Sequence, residues 1–128
     1  MPDYGFDARK YPAERNEALE ARIADPVILV RINRLYRPDM SPEELYGVTR
    51  TAWVVGARRE AARYALAVYE GTVLEVYHIE RWEPADTPGR WEFRGHVADE
   101  SIRDEYVGLS VRHYLRAGDQ SPIVYVNC

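Results

Sequence analysis

At 128 residues, with 46% hydrophobic, 12% aromatic and 30% charged residues, the chain fits one folded domain with its own core and excludes a disordered polypeptide. Its 17 Lys and Arg against 21 Asp and Glu give a net charge of -4, which excludes a protein that coats nucleic acid through bulk positive charge, so any phosphate contact has to be local. The one cysteine, Cys128, excludes an intrachain disulfide and a multi-cysteine zinc site; with no apolar leader in residues 1–22 and no run long enough to span a bilayer, a reducing, cytoplasmic setting without a membrane partner is expected.

In chain order, Pro12 at a first helical position and Ala13, Leu19, Ala21 and Ile23 among charges predict a short amphipathic helix that ends before Pro26. Residues 1–25 therefore read as an N-terminal helical extension and residues 26–128 as the domain. Residues 26–36 (PVILVRINRLY) run from continuous to alternating apolar character, as a first core strand does. After a turn at residues 37–40, Ser41-Pro42-Glu43-Glu44 carries a capping-box signature, and Leu45, Val48, Thr49 and Ala52 continue at helical spacing up to Trp53.

Residues 64–69 and 72–82 are rich in β-branched and aromatic side chains and flank Glu70-Gly71, which predicts a tight hairpin. The loop PADTPG at residues 84–89 precedes an alternating strand on Trp91, Phe93, Gly95 and Val97. Val111, Tyr114 and Leu115 predict a helix over residues 110–117 closed by Gly118, and residues 123–126 form a last strand. This order predicts an α+β fold: a small mixed β-sheet or open β-barrel with short peripheral helices.

Catalytic signatures are sparse. The only lysine, Lys10, falls in the expected extension, away from any carboxylate cluster of the kind a nuclease needs, and no glycine-rich phosphate loop opens a helix. His78, His96 and His113 fall on separate elements without ligand spacing, and His96, Asp99 and Glu100 read as a turn and a solvated helix start, so no metal and no cofactor are expected. Cys128 lacks the electropositive surroundings that activate a thiol.

The aromatic set stands apart: Trp53, Trp82 and Trp91 accompany ten tyrosines and only two phenylalanines. Indole and phenol rings can fill a core or grip a flat base, the latter worth about 1–3 kcal/mol per stacked base. Trp53 is placed at a rim, after a helix and before a glycine-containing turn, and Arg50, Arg58, Arg59 and Arg63 make the densest positive stretch around it. Those arginines suit phosphates, or they pair with Glu43, Glu44 and Glu60 on a solvated face.

The strand at residues 28–34, the polar turn to Ser41, the helix through Tyr46 and the run Thr49-Arg50-Thr51-Ala52-Trp53 resemble the PUA-like superfamily, nearest its EVE and YTH branches, over about residues 27–127. The resemblance implies recognition of a modified or flipped base in DNA or RNA. It also implies an aromatic cage to which Trp53 belongs with Trp82 or Trp91, and partners among bacterial defence systems. A non-catalytic nucleic-acid reader using Trp53, Trp82, Trp91, Arg50, Arg58, Arg59 and Arg63 is therefore expected. The alternatives are a protein-interaction module built on the same aromatic and arginine surface, and a small hydrolase with dispersed catalytic residues. DNA against RNA, the modification and the oligomeric state are left open.

Overall fold

A computed structural model of the chain describes residues 19–116, 118 and 121–128. In chain order the elements are β1 (Val27–Arg31), α1 (Pro42–Arg50), a 3-10 turn (Ala57–Ala61), β2 (Tyr64–Tyr69), β3 (Thr72–Pro84), β4 (Trp91–Val97), α2 (Glu100–Tyr106), a second 3-10 turn (Arg112–Tyr114) and β5 (Ile123–Val126). The five strands form one open mixed sheet in the order β4-β3-β2-β1-β5, the small α+β architecture that the order of elements predicts. β1 runs parallel to β2 and antiparallel to β5, and the other neighbours are antiparallel.

Both faces of the sheet are covered, which explains why β1 and β2 read as continuous rather than alternating apolar runs. Val27, Leu29, Leu66, Val68 and Val76 face one core with Tyr106 of α2, Val111, Ala21 and Ile23. Ile28, Val30, Ala65, Ala67, Tyr77 and Phe93 face the other, together with Trp53 and, from α1, Leu45, Tyr46 and Val48.

Local chemistry fixes most boundaries. The Ser41 hydroxyl accepts from the Glu44 N–H at 3.1 Å and the Glu44 carboxylate accepts from the Ser41 N–H at 2.9 Å, a complete capping box worth about 1 kcal/mol. Glu70 (φ 49°) and Gly71 (φ 81°) both adopt left-handed backbone, the pair of conformations that a two-residue hairpin loop between twisted strands requires. Gly95 has a different role: a Cβ there would collide with the backbone carbonyl of His78, because β3 and β4 approach closely beside a register shift between Ile79 and Arg81.

Four expectations need correction. The first strand stops at Arg31 instead of Tyr36, because Leu35 and Tyr36 turn their N–H groups back onto the Ile32 carbonyl. The helix expected at residues 110–117 is reduced to the turn Arg112–Tyr114, since the backbone turns extended at Leu115 (φ -101°, ψ 131°), and the α-helix lies earlier, at Glu100–Tyr106. Most of the helix expected from Pro12 lies outside the described residues, but residues 19–25 are not helical. They also belong to the body of the fold: Glu20 bridges Ser110, Ala21 and Ile23 are buried, and Asp25 accepts from the Tyr106 hydroxyl at 2.6 Å. Among the described residues, no helix is long and apolar enough to cross a membrane.

Candidate functional site

A cleft of about 550 Å³ opens at the carboxyl end of β1. Crevices at the carboxyl ends of parallel strands are where open sheets with crossover helices place ligands, because the chain there leaves the sheet in loops. Its described walls are Arg31, Asn33, Arg34 and Leu35 from the end of β1 and the turn after it, Trp53 from the segment after α1, and Ser121 and Pro122 from the approach to β5.

Trp53 is 8% exposed and part of the core. Its indole N–H donates to the Thr49 carbonyl at 2.8 Å, which satisfies a carbonyl in the last turn of α1 and locks the ring to the helix. What it leaves uncovered forms, with the exposed Leu35 and with Pro122, the apolar part of the cleft.

The polar part is built from donors. The Arg31 guanidinium reaches the Ser121 carbonyl at 3.4 Å, and the Arg31 N–H donates to the Pro122 carbonyl at 2.7 Å. Arg34 is exposed and no described residue pairs with its side chain. The Oδ1 of Asn33 accepts from the Glu70 N–H at 2.8 Å, tying the turn after β1 to the β2–β3 hairpin. Aspartate and glutamate are missing from the described lining.

The other residues anticipated from sequence lie elsewhere. The backbones of Trp91 and Trp53 pair as an antiparallel bridge, but the Trp91 ring lies under the Arg59 guanidinium, 3.6 Å from its centroid, away from the cleft lining. Trp82 packs edge-on against Phe93 at 5.5 Å. No ring stacks on Trp53 among the described residues, so the three tryptophans do not converge into a two-ring cage.

Three of the four arginines hold the fold. Arg50 donates to the Phe93 carbonyl (3.0 Å) and to the Glu92 carboxylate (2.9 Å), strapping α1 to β4. The Thr51 hydroxyl bonds the same carboxylate at 2.8 Å and, with Arg50, holds Glu92 below the usual carboxylate range. Arg58 lies over Tyr125 at 4.5 Å and donates to the Cys128 carbonyl, and Arg59 pairs with Glu60 besides capping Trp91. Arg63 is exposed, outside the cleft lining, and its side chain has no partner among the described residues.

Burial and carboxylate neighbours account for the buried phenols. Tyr77, screened from water and close to Glu75, and Tyr106, buried and bonded to Asp25, both have hydroxyls held well above the normal phenol range. Of the two, the Tyr106 hydroxyl is a structural donor, to Asp25.

A smaller cleft of about 260 Å³ is lined by Tyr64, His78, His96 and Asp99. The strand register sets His78 directly opposite His96 with ring centroids 5.2 Å apart, a pairing that linear spacing conceals. His96 Nδ1 lies 2.9 Å from a Glu80 carboxylate oxygen. His113 is far from both, against Tyr114 and the Ala21 carbonyl. Among the described residues, no three His, Cys, Asp or Glu side chains are placed to hold a metal ion.

No protein-family model matches the chain, and no curated protein or solved structure matches it either.

Proposed function

We propose that this domain holds an unpaired or flipped nucleic-acid base in the cleft at the end of β1, with Arg31 and Arg34 turned toward its phosphates. The observation that carries the reading is the composition of one cleft: an indole, Leu35 and Pro122 beside two guanidinium groups, with no described carboxylate, in a chain of net charge -4. An apolar wall shelters the plane of a base, and guanidinium groups fork onto phosphate oxygens. The base recognition implied by the resemblance around Trp53 is the same in kind. It differs in construction, resting on a single indole with aliphatic neighbours, and on Arg31 and Arg34 in place of Arg50, Arg58 and Arg59.

Fluorescence anisotropy with labelled single-stranded DNA and RNA, at low and at physiological salt, tests the reading. Affinity falls steeply as salt rises, and Arg34→Gln weakens binding by about tenfold with an unchanged melting temperature, while Arg63→Gln does much less. Absence of binding at low salt, or an Arg34→Gln protein that binds as wild type does, overturns it. Insensitivity to salt would favour an apolar protein partner instead.

A further inference from the structure

Resting on the base-binding reading above, the structure assigns Asn33 as the residue that selects which base enters. A backbone N–H can only donate, so the atom of the Asn33 amide that faces the Glu70 N–H at 2.8 Å is the carbonyl oxygen. The amide NH2 is thereby the end left over, and the side chain is held in one orientation by a main-chain group.

Every other described polar side chain of the cleft either only donates or is already engaged with the main chain. Arg31 and Arg34 have donors only. The Ser121 hydroxyl is turned back on its own segment, donating to the Ile123 carbonyl at 3.0 Å and accepting from the Ile123 N–H at 3.2 Å. The cleft thus meets a base mainly with hydrogen-bond donors, since the Asn33 and Ser121 oxygens in its described lining each already accept from the main chain.

We infer that the domain prefers bases that present carbonyl acceptors, guanine through O6 and N7 or thymine and uracil through O4, over adenine and cytosine, whose matching edges carry an exocyclic amine. An amine placed against these donors would meet like groups and lose water partners for fewer new ones.

The test uses nine-nucleotide strands of abasic sites carrying one central base, A, C, G or T, with an all-abasic strand beside them. Wild type binds the G and T strands on the order of tenfold more tightly than the A and C strands. Asn33→Asp keeps the acceptor for the Glu70 N–H but replaces the donor by a carboxylate oxygen. The added negative charge lowers affinity for all strands, so the readout is the ratio, which collapses or inverts toward A and C. A melting curve matching wild type shows that the turn is intact. Equal binding of all four bases, each tighter than the abasic strand, overturns the role of Asn33 and leaves base binding standing. A preference that survives Asn33→Asp also overturns it. Binding no better than that of the abasic strand, or no binding at all, overturns base binding itself and the inference with it.

Discussion

Trp53 and Trp91 meet through their backbones and not through their rings: each N–H donates to the other's carbonyl, at 2.9 and 2.8 Å, while one indole goes to the core and the other lies under Arg59. This short bridge anchors the segment after α1 against the start of β4. It fixes the position of the one tryptophan that reaches the cleft.

Trp53 is therefore a structural residue. Trp53→Ala should lower unfolding free energy by about 3–5 kcal/mol, the usual cost of deleting a large buried ring. Trp53→Phe keeps most of the volume but leaves the Thr49 carbonyl without its indole donor, and should cost about 1–3 kcal/mol. Urea unfolding followed by circular dichroism measures both. A Trp53→Ala protein as stable as wild type would contradict the packing described above.

Gly95→Ala should destabilise strongly despite adding one methyl group. The new Cβ meets the His78 main chain, which cannot rotate away as a side chain would, and Gly95 also donates its N–H to the Tyr46 hydroxyl at 2.9 Å. Expected losses are about 1–3 kcal/mol or more, the cost of overpacking with a backbone shift. Gly89→Ser, in an open loop where no atom crowds the position, is not a neutral control because φ is 81° there; Gly56→Ala, uncrowded and outside the left-handed region, is the proper one.

Acid should loosen the strap between α1 and β4. Because the Thr51 hydroxyl and Arg50 hold Glu92 below its ordinary value of 4.5, the folded state favours the charged form. The stabilisation is full above that ordinary value and disappears as pH falls through the lowered one. Glu92→Gln should thus be less stable than wild type at neutral pH and show a shallower loss between neutral and strongly acidic pH. Parallel denaturation series across that range would settle it, and identical slopes would rule out a contribution from this carboxylate.

Much of the fold was legible because its signals are local. Ser41 and Glu44 bond each other three residues apart, and Gly71 between two β-rich runs supplies the positive φ that a tight hairpin needs. The bounds of β4 and β5 follow from alternation and flanking loop residues. α2 was harder to see, since ESIRDEY offers only Ile102 and Tyr106 to a core, and it is the long-range seat of Tyr106 against Asp25 that holds it. The roles of Arg50 and Arg59 depend on Glu92 and Trp91, which come from another part of the chain and leave no trace in local charge density. The cleft was missed for a simpler reason. Its residues Arg31, Asn33, Arg34 and Leu35 lie in a stretch whose alternation imitates a strand, where the one available clue was Asn33, a turn former directly after an apolar run.

β1 lies between a parallel neighbour, β2, and an antiparallel one, β5, that is much farther along the chain. Pairing β1 with β5 joins segments far apart in sequence, a long-range closure that slows folding. Ser121 and Pro122 arrive with β5, so until that strand pairs the crevice lacks one of its walls.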